Sequence, residues 1–290
     1  MTLTIQPLAP VFAVEILGAD LTRPQTAEEV ATIADAVDRH AVVVLRGQDI
    51  TDEQQIAFTQ AFGALENFKT AGHIRKRDDT RLGAGISDFS NLDRNGNIIS
   101  AEDRIWFFKL GDRLWHSDSS FREIPARWSL LSGRALPSWG GNTEFADMRL
   151  AYEALDDRTK AEVEDLICRH SLMYSREAIG FTALTAEEIE SFRPVRQRLV
   201  RTQRATGRKS LFLSSHAGEI EGWTVPEARS FLRELTEHAT QPRFVYSHAW
   251  ALGDLVIWDN ATTMHRATRF DRNEVRDVRR TTLGGTESTL

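Results

Sequence analysis

Leu114-Trp115-His116-Ser117-Asp118-Ser119-Ser120-Phe121 is the stretch from which the rest of the chain is read. Read as a β-strand, it turns His116 and Asp118 to the same side, because successive side chains alternate faces. An imidazole nitrogen and a carboxylate oxygen side by side are two thirds of a facial site for ferrous iron. With eight histidines and 42 acidic residues in 290, about one His-x-Asp/Glu triplet arises by chance. Its meaning therefore depends on what else the chain supplies.

Upstream, residues 11–21 have β-leaning alternation broken by a glycine, which predicts a short strand and a turn. Thr26-Ala-Glu-Glu29 and Thr51-Asp-Glu-Gln54 fit capping boxes. The first opens a helix with Val30, Ile33, Ala34 and Val37 at helical spacing, and the second puts Ile56, Ala57, Ala61 and Phe62 on one side. Between them Ala41-Val-Val-Val-Leu-Arg46 is a continuous β-branched run, hence a buried strand. Residues 68–81 are polar and basic without a period. They form either a solvated loop or a mobile lid that offers a cation to an anionic substrate. Asn95-Gly96 predicts a tight turn.

Downstream, Arg127–Pro137 reads as a strand, and 138–146 as a glycine turn entering another. Helices are expected over 147–154, 156–167 and, weakly, 185–192. Residues 198–202 and 210–214 flank Ala205-Thr-Gly-Arg208 as a hairpin, and Thr224 caps a helix through Phe231, Leu232 and Leu235. The end is strongly β, at 244–250 and 255–258. Many short strands with turn signals and a few flanking helices give a mainly β chain (α+β), a barrel or double-sheet jelly roll, in one domain over 1–290.

Composition narrows the function. A net charge of −6 argues against nucleic acid. A single cysteine, Cys168, excludes an intrachain disulfide and a cysteine metal cluster, and reads as a small buried hydrophobe. The first residues lack the basic start and apolar run of a signal peptide, and no stretch approaches eighteen apolar residues, so the expectation is a cytoplasmic protein without a membrane partner.

The second anchor is His265, in Trp258-Asp-Asn-Ala-Thr-Thr-Met-His265-Arg266. Beyond it lie Arg276, Arg279 and Arg280. If these stand on a strand, Arg276 and Arg280 share a face and Arg279 takes the other. Two arginines pointing into a closed sheet structure are costly unless anions meet them, and a carboxylate is the natural bidentate match. Two histidines and an aspartate leave three positions of an octahedral ion free: two for the carboxylate and keto oxygen of a 2-oxo acid, one for dioxygen.

Taken together, the sequence resembles the Fe(II)/2-oxoglutarate-dependent dioxygenases of the taurine dioxygenase superfamily, and within them the 2,4-dichlorophenoxyacetate/2-oxoglutarate dioxygenases. The likeness runs almost end to end. It includes Val44-Leu-Arg-Gly-Gln48, Asp52–Phe58, Leu114–Phe121, Gly140-Gly-Asn-Thr-Glu-Phe145, Asp147–Tyr152 and Gly253–Asn260. The resemblance implies a double-stranded β-helix fold and iron held by His116, Asp118 and His265. It assigns Thr143 and Arg276 to 2-oxoglutarate and Arg280 to the region of the proximal carboxylate and the acidic group of the substrate. Lys69 is the choice for a further substrate cation, while His170 and His216 are read as structural, His216 being the one of the two expected to line the pocket. Relatives tend to carry a neutral polar residue where this chain has Asp112, whose carboxylate would repel an acidic substrate unless it points away or pairs with Arg113.

The expected activity is hydroxylation of a small anionic molecule, an aryloxyacetate first of all, by a homo-oligomeric enzyme using Fe(II), 2-oxoglutarate and O2. Ether cleavage would then give a phenol and glyoxylate beside succinate and CO2. Taurine, alkylsulfonates or alkyl sulfates are the alternatives within this chemistry. A non-enzymatic jelly-roll sensor of small acids and a metal-dependent hydrolase are the alternatives outside it.

Overall fold

The computed structural model describes residues 2–10, 12–66 and 80–290. Lys69 and most of the expected 68–81 loop lie outside the described residues. The amino-terminal third contributes β1 (Thr4–Pro7), β2 (Val14–Leu17), α1 (Ala27–His40), β3 (Val42–Leu45), α2 (Asp52–Gln60), β4 (Ser87–Asp88) and α3 (Arg104–Lys109). The middle holds β5 (Trp128–Ala135), β6 (Thr143–Asp147), α4 (Met148–Glu153), α5 (Asp157–Val163), β7 (Ile167–His170), α6 (Leu172–Ala178), α7 (Ala186–Ser191), β8 (Val195–Arg198), β9 (Val200–Thr202) and β10 (Lys209–Leu211). The chain closes with β11 (Ala217–Ile220), α8 (Val225–Ala239), β12 (Val245–His248), β13 (Leu255–Asp259), β14 (Thr263–Ala267) and β15 (Asp277–Leu283). The protein is mostly sheet with helices on the outside.

Seven strands form one sheet in the order β1-β2-β3-β13-β5-β15-β4, and β12-β6-β14 form a second. The apolar runs explain how the layers stack. In the large sheet Val43, Leu45, Leu130, Leu255 and Ile257 face outward, where Ile33 and Val37 of α1 and Phe58 of α2 cover them. Val42, Val44, Leu131, Val256, Trp258 and Val278 face inward against Phe145 of β6. Both faces are dry, so these strands read as continuous rather than alternating hydrophobic runs. The second sheet is covered in turn: Ala146 and Met264 pack outward against α4 and α8, among Met148, Leu232 and Leu235. The space between the sheets is where Thr143, Phe145 and His265 point.

Local signals account for most elements. Thr26 and Thr51 cap α1 and α2 through complete capping boxes, Glu29 and Gln54 answering the cap backbone at 2.8 Å each. β9 and β10 pair antiparallel as the expected hairpin. Cys168 is buried, and burial pushes its thiol up to about 12, in keeping with a small core residue.

Three readings are corrected. The helix expected to reach Ile167 stops at Val163, because Ile167–His170 is drawn into a sheet between β8 and β11. Helices α3 and α6 stand where the sequence pattern suggests none. Most importantly, His116 and Asp118 do not share a strand: His116 makes a single bridge to His265, and Asp118 sits in the turn that follows, where Ser119 has φ 54°. The polar side chains of Ser117 and Asp118 find partners on other segments, which ends the pairing after one residue.

Candidate active site

β14 lies beside β6 with His265 opposite Phe145. The backbones of His116 and His265 exchange two hydrogen bonds, at 3.0 and 2.8 Å. That one bridge sets the two imidazoles side by side, with ring centroids 4.2 Å apart and the planes tilted by 47°. Asp118 completes the group: Oδ1 lies 3.9 Å from His116 Nε2, and Oδ2 lies 3.7 Å from His265 Nε2. All three side chains are buried, and one donor atom from each falls within 4.8 Å of the others.

Neighbours orient these side chains. His116 Nδ1 lies 2.8 Å from the Leu114 carbonyl, an acceptor, so Nδ1 is the donor of that bond and Nε2 is the nitrogen turned to the centre of the group. Ser129 Oγ donates to Asp118 Oδ2 at 2.7 Å. Asn260 ties the shell together: its Nδ2 donates to Ser129 Oγ at 3.0 Å, its Oδ1 accepts from Trp258 Nε1 at 2.9 Å, and its carbonyl accepts from Ser117 Oγ at 2.5 Å. Burial alone would raise the Asp118 carboxyl, but the charge of Arg280, the two imidazoles and the Ser129 hydroxyl outweigh it and hold it well below the usual range. Burial, reinforced by His116, keeps His265 neutral far below its ordinary value, the form a metal ligand requires.

A cavity of about 720 Å³, partly open to solvent, runs over this group and is lined by Thr143, Arg276 and Arg280 among others. Arg276 and Arg280 share the inner face near and on β15 as expected, while Arg279 turns out to pair with Asp52 at 2.9 Å and Asp277 at 2.8 Å. Arg276 is buried, with no carboxylate on it among the described residues. Its nearest acceptors are the carbonyls of Gly141 at 3.3 Å and Phe89 at 3.5 Å, and its Nε has no partner. Burial pulls it down to about 10. The glycine turn before β6 makes room: at Gly141, φ 73°, a Cβ would stand 3.2 Å from Arg276 Nε.

Arg280 is already engaged. Its Nη1 donates to Asp118 Oδ1 and its guanidinium lies 4.2 Å from the Phe89 ring centre, whereas its buried Nε has no partner among the described residues. Thr143 Oγ1 accepts from Trp250 Nε1 at 3.1 Å. Asp112 lines the cavity and pairs with Arg176 at 3.4 Å, so its counter-ion is not the neighbouring Arg113. Arg176 comes from α6, which the linear reading could not place. His216 sits behind His116, its Nδ1 3.0 Å from Ser175 Oγ, and does not reach the cavity wall. His170 is stacked on Phe212, and burial pulls it down to about 3.

Sequence reasoning missed Ser129, Asn260 and Trp250. Asn260 closes the Gly253–Asn260 stretch but carries no local signal of its contacts. Ser129 is one of two serines, with Ser132, that interrupt the apolar start of β5, and such an interruption is the one cue available.

A family model described as "Taurine catabolism dioxygenase TauD, TfdA family" matches residues 4–282. The chain is 41% identical to the "Alpha-ketoglutarate-dependent 2,4-dichlorophenoxyacetate dioxygenase" of Burkholderia sp. (strain RASC), over 98% of this chain and 95% of the relative. It is 34% identical to the "(S)-phenoxypropionate/alpha-ketoglutarate-dioxygenase" of Delftia acidovorans, over 93% and 91%. Among solved structures, that of AAD-2 in complex with Mn(II) and N-oxalylglycine is similar with a TM-score of 0.97 and 54% identity, covering 100% of both chains.

Proposed function

The chain belongs to the taurine catabolism dioxygenase TauD, TfdA family, and from that premise we propose that it hydroxylates an aryloxyacetate at the carbon between ether oxygen and carboxylate. It is an oxidoreductase that uses Fe(II), 2-oxoglutarate and O2. The hydroxylated product is a hemiacetal, which collapses to a phenol and glyoxylate. The facing sheets are read as a double-stranded β-helix in one domain over 1–290.

The observation that carries the reading is Arg276: a buried guanidinium whose Nε has no partner among the described residues, lining the same cavity as His116 and His265, with Asp118 grouped behind them. A buried unpaired cation is costly, and the distal carboxylate of 2-oxoglutarate supplies its counter-charge. The donor set, two imidazoles and a carboxylate held ionised, fits ferrous iron. When bound, the metal supplies the dioxygen activation that is coupled to decarboxylation of 2-oxoglutarate to succinate and CO2. His116, Asp118 and His265 hold the metal, and Asn260 and Ser129 keep Asp118 aimed at it. Thr143 donates to an oxygen of 2-oxoglutarate. Arg280 bridges Asp118 and the substrate carboxylate, using the donors that Asp118 leaves free. That contact fixes the ether-linked carbon near the metal, so the contribution of the protein is position.

A succinate-release screen with iron, 2-oxoglutarate and O2 tests this. Aryloxyacetates are expected to give stoichiometric succinate and phenol. Succinate with taurine or alkyl sulfates alone would overturn the substrate, product without 2-oxoglutarate would indicate a hydrolase, and no turnover with any acid would favour a sensor.

A further inference from the structure

Behind the cavity wall, a row of polar and aromatic side chains with a buried centre at Asp254 and His248 ends on the Thr143 hydroxyl. Asp254 and His248 are both fully buried, with Asp254 Oδ2 3.0 Å from His248 Nε2. The same oxygen accepts from Arg46 Nη1 at 2.8 Å and from the Ala251 backbone at 2.9 Å, which anchors the residue next to Trp250. The His248 ring meets the Trp250 ring edge to face at 4.7 Å and 89°. His248 is also the cross-strand partner of Thr143 between β12 and β6. On the other side Trp250 lies over Gly133 of β5, where a Cβ would stand 3.2 Å from Trp250 Cε3. The indole is thus held on several sides, and its Nε1 donates to Thr143 Oγ1 at 3.1 Å.

A hydroxyl has one proton and two lone pairs, and its rotor settles according to its partners. With one lone pair of Thr143 taken by the indole N–H, the hydroxyl proton is turned away from Trp250, and Thr143 borders the cavity. We infer that Trp250 is a positioning residue for the cosubstrate: it fixes the Thr143 hydroxyl as a donor aimed into the cavity, toward an acceptor oxygen of 2-oxoglutarate. This rests on the reading of Thr143 as a 2-oxoglutarate contact. Arg46, Asp254, His248 and Gly133 serve the same end by fixing the indole plane. A donor set in advance loses less freedom on binding than one that must first be ordered.

Calorimetric titration of 2-oxoglutarate into the Mn(II)-loaded protein tests this without turnover. Trp250→Phe keeps an aromatic ring and removes the N–H. It should weaken 2-oxoglutarate about three- to tenfold, the range of one neutral hydrogen bond, with the affinity for an aryloxyacetate moving less than about twofold. Thr143→Val should weaken 2-oxoglutarate at least as much, and adding Trp250→Phe to it should change little, because residues that act through one another are not additive. Should Trp250→Phe fail to fold, Gly133→Ala applies the same test with the indole retained. It crowds the ring and should weaken 2-oxoglutarate while Thr143 is intact, but add nothing once Thr143→Val is present.

Wild-type affinity in Trp250→Phe, or a full penalty persisting beside Thr143→Val, would overturn the inference while leaving Thr143 in place. No effect from Thr143→Val would remove Thr143 from the cosubstrate site, and the inference with it.

Discussion

Arg280 Nη1 is hydrogen-bonded to Asp118 Oδ1, joining the strand that ends the fold to the turn that carries a ligand carboxylate. Both side chains are buried, so their charges are poorly screened. The arginine therefore balances the metal-binding carboxylate as well as facing the cavity, and removing it does more than open a substrate site.

Arg280→Ala is expected to raise the KM for acidic substrates and to destabilise the metal-free protein by about 3 kcal/mol, since it strands a buried carboxylate. A divalent cation supplies the missing positive charge. Thermal melts with and without Mn(II) should show a larger metal-induced rise in Tm for the variant than for the wild type. Equal rises would separate Arg280 from the charge balance of the ligand group.

His116→Ala or Asp118→Ala should abolish iron-dependent succinate release while leaving far-ultraviolet circular dichroism unchanged. Retained turnover would refute the ligand assignment.

Asn260→Ala should lower metal affinity about 10- to 100-fold without touching a ligand. Its side chain is the partner of Trp258 Nε1 and Ser129 Oγ. The variant leaves a buried indole N–H unpaired, at a cost of about 1–3 kcal/mol. Denaturant unfolding and metal titration read the two effects separately.

Arg276→Met removes a buried cation that has no carboxylate partner among the described residues. Stability of the ligand-free protein should be unchanged or higher, whereas 2-oxoglutarate affinity should fall by two orders of magnitude or more, roughly the 3–5 kcal/mol of a buried pair broken on one side. A variant that unfolds more readily yet binds 2-oxoglutarate normally would make Arg276 a structural residue.

Acid stability should depend on Arg81, which hydrogen-bonds both Asp88 and Asp277. Burial would raise the Asp88 carboxyl, but Arg81, Lys109 and Ser90 bring it from its ordinary 3.8 down to about 2. The folded group thus stays ionised where the unfolded one takes up a proton. Its contribution, on the order of 2 kcal/mol, is fully present above pH ~4 and is lost as pH falls toward ~2. Arg81→Met should flatten the stability profile in that window; an unchanged slope would exclude this network as the acid-sensitive element.

Several features could be read from residues in order because they depend on spacing alone. The capping boxes at Thr26 and Thr51 need three-residue periodicity, the apolar runs at 42–45 and 255–258 need only length, and the spacing of His265, Arg276 and Arg280 follows the chain. That spacing, together with His116 and Asp118, carries the resemblance from which the chemistry is expected. β14 was not legible, because its inward residue is His265 and a polar side chain breaks the apolar pattern that marks a strand. Folding also decided whom each charged or polar group meets. Arg280 and Asp118 are 162 residues apart, Trp250 and Thr143 107, and Arg176 and Asp112 64. No local rule pairs groups so distant; the stacking of two sheets does, by burying them where each must find a partner. The residue types thus pointed to the reaction class, and the packing determined which arginine is held by Asp118 and which meets no carboxylate among the described residues.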